Sequence, residues 1–515
     1  MTRYCSVIVL SCLVSLAGCK PASEAPADKA DAAPKKEEAE APAKAAIPED
    51  LDLVIPNGRV MDPESKLDAV RNVGVKDRMV ERRAIEAAIW GMPIVNFQAM
   101  RDGLKRDAGV GYNDVAYNSK VQTWRLRTTT NNNTTPYIFI FWNVKNGPVV
   151  VDIPPSSKDV GLFGTLMDAW QRPLEDVGAK GKDQGRGAKY LIVPPGYQGP
   201  YPDGYITLPQ QTFNGYTLMR PIIADASDEN LKSAAAYVKT VKVYPFARAD
   251  NPPKTKYIDI YDKDINGITE FDASFYERLN MMVQEEPIES KDLAMMGLLK
   301  AIGIEKGVPY APDSERKKIL DAAGAEAHEY LLDQYVNGII PPFYGKQKWS
   351  SAVPPGGIPS GLEWDFPGYL DVDGRGALYY AVYTSVKNLG AATFYLMTAK
   401  DESGQYLDGG KNYKLSLPKD VPARNFWSVI AYDSANATWF ENQPKAGVAS
   451  SDKGLKTNAD GTIDIYFGPK APAGQEANSV PTTPDTNYWL YFRFYGPEPA
   501  VFTKSWQLPD LEEVK

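Results

Sequence analysis

The chain of 515 residues carries a formal net charge of -8, with 65 acidic against 57 basic side chains. An acidic chain without a basic stripe is a poor partner for nucleic acid, which sets that class aside. Its one histidine, His328, rules out a His-rich zinc or iron site and is the only base a Ser-His-Asp triad can use.

At the N-terminus, Arg3 precedes an apolar run from Val7 to Leu16, and Leu16-Ala17-Gly18-Cys19 follows. A short apolar segment with a cationic lead and small residues before a cysteine resembles the bacterial lipoprotein signal. It falls short of the roughly 20 apolar residues that a spanning helix needs. Residues 1–18 are therefore expected to be a signal peptide and Cys19 the site of lipidation by palmitate-like chains. Processing would remove Cys5 and Cys12, so the mature chain would have no intramolecular disulfide and no thiolate cluster. Lys20, rather than Asp, follows that cysteine, which by resemblance favours the outer membrane over other parts of the cell envelope. Residues 19–50 are rich in Ala, Pro, Glu and Lys and have no aromatic side chain, the composition of a disordered tether.

Beyond residue 50 the elements alternate in character. Arg78 to Asp107 has helical spacing at Ile85, Ile89, Met92, Met100 and Leu104, with Pro93 inside it predicting a kink or two abutting helices. Tyr137–Val144 and Pro148–Ile153 flank Asn146-Gly147, a two-residue hairpin signal. Lys189–Val193, Tyr216–Arg220 and Val238–Tyr244 read as further strands. Residues 75–265 thus predict an N-terminal β domain. A helical connector over 266–345 carries one apolar stripe at Leu320, Ala323, Ala327, Leu331 and Tyr335, and another at Met295, Leu298, Leu299 and Ile302.

From 346 to 515 short strands return: Leu378–Val386, Thr393–Thr398, Tyr413–Leu417, Phe426–Asp433, Thr462–Phe467 and Tyr488–Tyr495. Phe426–Asp433 is apolar on both faces, which predicts an interior strand covered on both sides. Asp433, Ser434 and Asn436 supply turn chemistry before a second aromatic step at Trp439-Phe440, so a hairpin is expected there. The fold class is mainly β with a helical connector, built as two β-sandwich or jelly-roll-like domains.

Particular residues carry a family resemblance. Asn118-Ser119, the Thr and Asn run before Pro136-Tyr137, Gly147-Pro148-Val149-Val150-Val151 and Tyr190 through Tyr197 resemble domain of unknown function 1254. Leu407-Asp408-Gly409, Phe426-Trp427-Ser428-Val429 with Tyr432-Asp433, Asn458 with Asp460-Gly461, and Arg493 through Pro497 resemble domain of unknown function 1214. The resemblance implies two β-sandwich-like domains joined by helices and brings no settled activity. Thr134 and Ser479 depart from it, standing where many relatives have an acidic residue and a tryptophan.

Few residues point to chemistry. Glu363 and Asp365 flank Trp364 and would share a side of an extended segment, a carboxylate pair of the kind glycoside hydrolysis uses. Exposed acids are common in an acidic chain, so this pair is the weaker motif. Asp371-Val372-Asp373-Gly374 begins like a calcium loop, but Arg375 stands at a ligand position and a turn is the better reading. The Gly-rich stretches 181–187 and 354–361 read as loops, and Thr128–Thr135 as a solvated polar loop or a ligand contact. His328 sits at the edge of an apolar stripe and reads as structural.

The aromatic residues, 30 Tyr and 10 Trp, are more distinctive. On the last long strand Tyr488, Leu490, Phe492 and Phe494 form a core face, and Trp489, Tyr491, Arg493 and Tyr495 form the opposite one. Such a face stacks a sugar or holds an anion, or else it packs against a helix or a second subunit. The expected role is recognition of a small or carbohydrate-like ligand by a lipid-anchored protein. A carboxylate-dependent hydrolase and a structural homo-oligomer are the alternatives. No cofactor and no metal is called for.

Overall fold

In the strand Ile138–Asn143, Ile138, Ile140 and Trp142 enter one hydrophobic core while Phe139 and Phe141 enter another. Strands apolar on both faces must be covered on both faces, and this requirement organises the molecule. The computed structural model describes residues 74–338, 341–351, 364–383, 386–388 and 393–515, which lie in one compact unit. The expected signal segment, Cys19, the expected tether, Glu363 and the Gly-rich stretch 354–361 lie outside the described residues.

Two sandwiches follow in sequence. In the first, a six-stranded sheet runs in the order Tyr257–Asp259, Val115–Tyr117, Ile138–Asn143, Asn214–Ile222, Gly161–Asp168, Pro173–Gly178. It packs on a four-stranded sheet of Lys242–Pro245, Val149–Ile153, Ala188–Val193 and Tyr205–Pro209. In the second, a five-stranded sheet runs Ser350–Ser351, Thr393–Thr398, Tyr488–Pro497, Ala423–Asp433, Gly447–Ala449. Its partner sheet is Ser479–Pro481, Ile463–Gly468, Asn412–Leu417 and Glu512–Val514.

Helices fill the space between the sandwiches. Helix α1 (Val75–Ala108) is followed by α2 (Asp228–Val238), which packs instead in the private core of the first sandwich, and then by α3 (Ala273–Glu285), α4 (Leu293–Leu299), α5 (Ser314–Asp333) and α6 (Val372–Ala381) of the shared layer. Helix α1 is buried all round from Ala87 to Met100, and its core also includes Phe139, Phe141 and Tyr216 of the first sandwich. Ile430, Tyr432, Trp489 and Tyr491 of the second sandwich enter that same core. Each sandwich therefore keeps a private core and turns its larger sheet to a shared helical layer.

Pro93 does not divide α1, which runs as one helix of 34 residues. Proline has no N–H, so the Ile89 carbonyl lacks its usual helical donor. Helix α6 packs there. A Cβ on Gly376 would lie 2.7 Å from the Ile89 oxygen, and Arg375 donates from Nη2 to the neighbouring Trp90 carbonyl at 3.1 Å. The helix tolerates its proline because a glycine and an arginine of another segment occupy the disturbed turn.

Several local expectations change. Leu378–Val386 was expected as a strand, yet its first residues complete α6, which begins where Asp371 accepts from the Gly374 N–H at 2.9 Å. A short apolar run has no period of its own to separate a buried helix from a strand. The calcium-like Asp371 is thus a helix cap. Asn146-Gly147 does form a tight turn, with the Gly147 N–H on the Val144 carbonyl at 3.0 Å, but it joins two sheets and makes no hairpin. Trp142 and Val149 meet in one core from opposite sides of the sandwich. Val238–Tyr244 splits into the end of α2 and the strand Lys242–Pro245. The return strand beside Ala423–Asp433 is Gly447–Ala449 rather than Trp439-Phe440.

Candidate functional site

The polar run Thr128–Thr135 is not a solvated loop. Thr128, Thr129, Asn131, Asn132 and Thr135 are all buried, because the run docks on the second sandwich. Asn132 Nδ2 donates to the Tyr495 hydroxyl at 2.8 Å, the Thr134 hydroxyl lies 3.2 Å from it, and the Tyr432 hydroxyl donates to the Asn131 carbonyl. Thr130 is pinned at both ends, its N–H on the Ala437 carbonyl at 2.6 Å and its carbonyl on Arg493 Nη2 at 3.2 Å. It adopts φ 45°, a conformation costly for a β-branched residue.

This docking closes the face named from the last strand. Trp489 and Tyr491 are 0% exposed, Arg493 3% and Tyr495 5%. Tyr335 donates or accepts at the Tyr491 hydroxyl and its ring packs 5.3 Å from Trp489. An open stacking surface for a sugar is therefore not what this strand presents; of the two readings, packing is what the described residues show.

On the outer side of the seam lies a cleft of about 620 Å³. Residues Lys120 to Arg125, Asn133 and Tyr261 of the N-terminal half line it, facing Trp439, Phe440 and Asn442 to Ala446 of the C-terminal half. Arg125 stacks 4.9 Å over Trp124 and pairs with Asp262 at 3.2 Å, while Lys120 lies 5.6 Å over Tyr261. Lys445 has its pKa lowered, chiefly by burial.

Two lining groups stand out because they are buried and lack hydrogen-bond partners: Trp439 Nε1, a donor, and Gln122 Oε1, an acceptor. The other end of Gln122 is held, its Nε2 donating to Asn118 Oδ1 at 3.3 Å. Buried polar atoms are normally satisfied, so an unpartnered donor and an unpartnered acceptor on two residues that line one cleft leave polar capacity unmet beside it. Trp439 was visible in the sequence only as an aromatic step, and Gln122 carried no signal at all.

The carboxylate pair fares differently. Asp365 is exposed on a two-residue strand paired with Tyr369–Leu370, and Trp364 beside it is buried with φ 58°. Glu363 lies outside the described residues, and Asp365 does not line the cleft. His328 stacks 4.6 Å from Phe271, and its Nε2 lies 3.2 Å from the Tyr380 hydroxyl. Burial lowers its pKa, as expected of a packed structural residue. Among the described residues no group of three or more His, Cys, Asp and Glu side chains is placed to hold a metal, and no helix is long and apolar enough to cross a membrane.

Fold and cleft together define a mainly β protein of two sandwiches on a shared helical layer, with an aromatic and polar cleft where their loops meet. Residues 112–245 match the family model "Protein of unknown function (DUF1254)" and residues 392–499 the model "Protein of unknown function (DUF1214)". The chain thus carries a DUF1254 domain followed by a DUF1214 domain. The VPA0106 protein from Vibrio parahaemolyticus shares the fold, with a TM-score of 0.52 at 18% identity over 85% of this chain and 100% of that one. An uncharacterized protein from Burkholderia cenocepacia gives a TM-score of 0.39 at 11% identity, over 85% of this chain and 95% of that one. No curated protein matches the chain.

Proposed function

We propose that the protein recognises a small, polyhydroxylated, carbohydrate-like ligand in the cleft between Trp124, Tyr261 and Trp439. The observation that carries the reading is the unpartnered pair, Trp439 Nε1 and Gln122 Oε1, in a cleft of about 620 Å³. A hydroxyl both donates and accepts, so a polyhydroxylated ligand supplies partners of both kinds, while the aromatic rings take its apolar face. Recognition is favoured over hydrolysis because, of the two carboxylates that line the cleft, Asp262 is engaged by Arg125 and Asp228 stands in the first turn of α2, where the helix N-terminus favours its charged form.

The test is a thermal-shift and tryptophan-fluorescence screen of the full chain against mono- and disaccharides. A binder stabilises the native state whatever its chemistry. Trp439→Phe keeps an aromatic ring but removes the N–H and part of the indole; it is expected to weaken binding by about 1 kcal/mol, roughly fivefold, beyond the modest fall in ligand-free Tm that trimming a buried side chain brings. A screen in which no saccharide shifts Tm or fluorescence would overturn the reading.

We further propose that the protein acts at the cell envelope, tethered through lipidated Cys19, on the strength of Leu16-Ala17-Gly18-Cys19 and the aromatic-free stretch beyond it. Cys19→Ser is expected to release it from membranes on fractionation. Membrane retention with an unprocessed N-terminus would count against the signal.

A further inference from the structure

Two arginines reach the buried seam from different sandwiches. Arg220 lies on Asn214–Ile222 of the first, and Arg493 lies on Tyr488–Pro497 of the second, where Tyr395 is its cross-strand neighbour. Arg220 is 7% and Arg493 3% exposed, so both guanidiniums have lost most of their water. Among the described residues neither has a carboxylate within ion-pairing distance. Each retains an Nη1 with no hydrogen-bond partner.

What surrounds them is aromatic. The Arg493 guanidinium lies 5.1 Å from the Tyr395 ring, 5.2 Å from Tyr491 and 5.5 Å from Tyr432, and Arg220 lies 5.4 Å from Tyr137 and 5.7 Å from Phe163. Ring faces hold a cation in place but do not neutralise it. A buried, uncompensated guanidinium is costly, and two that bear on the same tyrosine are more so. Ser428, opposite Arg493 in the sheet, adds a fully buried hydroxyl without a partner.

We propose that Arg220 and Arg493 together bind an oxyanion, a carboxylate or phosphate group, at the buried seam between the two sandwiches. The planar guanidinium fork matches both groups, and each free Nη1 supplies a donor. This site is separate from the cleft, whose lining includes neither arginine nor Tyr395. It stands whether or not the cleft binds a sugar.

Tyr395 makes the inference testable. Burial opposes its ionisation, but Arg220 and Arg493 outweigh burial and bring its pKa down to about 8. The groups that act on Tyr395 and its two arginines are Tyr137, Tyr432, Tyr491, Tyr495 and Thr393, with Tyr335 behind Tyr491. No carboxylate of the described residues is among them. A bound anion and the Tyr395 phenolate compete for the same two cations, so anion binding draws a proton onto Tyr395 and weakens as pH rises through about 8.

The experiment follows the near-ultraviolet tyrosinate absorbance of the full chain, held just above that midpoint. Benzoate and inorganic phosphate are titrated in separate arms against chloride at matched ionic strength. Saturable loss of the tyrosinate band is expected in at least one arm. Response to benzoate alone identifies a carboxylate site, and response to phosphate alone a phosphate site. Tyr395→Phe has no such band to lose, yet keeps both arginines and is expected to retain the anion-dependent rise in Tm. Arg220→Met and Arg493→Met, each confirmed folded by circular dichroism, are expected to lose saturation and to move the Tyr395 midpoint upward. No saturable response to either anion in the unmodified chain, or an equal absorbance loss in Tyr395→Phe, would overturn the proposal.

Discussion

Arg493 donates to the carbonyl of Thr130, 363 residues earlier in the chain, at 3.2 Å, and Thr130 holds φ 45° to receive it. The bond joins the last long strand of the second sandwich to the loop that leads into the first. It places a strained backbone at the point where the two halves meet, between a candidate ligand cleft and a pair of buried cations. Strain of this kind persists where surrounding contacts over-determine it, here the Ala437 carbonyl on one side and the guanidinium on the other.

The strain at Thr130 has a measurable sign. Glycine adopts a positive φ without the Cβ penalty, which for an L-residue is about 1–2 kcal/mol. Thr130→Gly is expected to raise Tm, with a gain of about 1 kcal/mol in denaturant unfolding after the added freedom of the unfolded glycine is counted. A fall in stability would show that the threonine side chain holds the loop more than its backbone resists it.

Gly376 tests the contact between α6 and the proline-disturbed turn of α1. On helix propensity alone, glycine to alanine inside a helix is stabilising by roughly 0.5–1 kcal/mol. Here the added methyl meets the Ile89 carbonyl oxygen at 2.7 Å. Gly376→Ala is therefore expected to lower stability by about 1–3 kcal/mol, the usual cost of overpacking. A stabilised variant would mean that α6 shifts freely away from α1.

Trp427 is 5% exposed and stacks on Phe492 at 5.6 Å in the private core of the second sandwich. Trp427→Ala is expected to cost about 3–5 kcal/mol, read as a lowered Tm. A near-neutral result would require that core to collapse around the missing ring.

His328 links stability to pH. Burial lowers its folded-state pKa below the ordinary value of 6.5, so the unfolded chain binds the proton more readily than the folded one. Its contribution is complete above 6.5 and is lost as pH falls through 6.5 toward the lower folded value. Tm is expected to drop over that window, and His328→Gln to flatten the drop. An unchanged slope in the variant would assign the acid sensitivity to carboxylates instead.

Much of the architecture was legible because strand patterning is local. Phe426–Asp433 and Tyr488–Tyr495 are largely apolar on both faces, and a strand of that kind has to be sandwiched between two layers. The stripe from Leu320 to Tyr335 likewise reports a helix with one buried face, and it enters the shared core. Capping residues, such as Ser227 before α2 and Asp371 before α6, also stand in the sequence, but Ser and Asp serve turns as readily as helix caps, so neither marks a helix by itself.

What covers each face was not local. Thr128–Thr135 is polar enough to suit water, and only the opposing strand's Tyr432, Arg493 and Tyr495 make its burial possible by satisfying its amides and carbonyls. The same contact turns an aromatic face that looked open into an interior one. Asn146-Gly147 specifies a tight turn, but the sheets its flanking strands join depend on partners far along the chain. Arg220 and Arg493 each appear in sequence as a lone charge on an apolar strand. That they approach one tyrosine from two sandwiches, and that Trp439 and Gln122 line one cleft, follows from tertiary packing, because side chains distant in sequence meet only when the layers close.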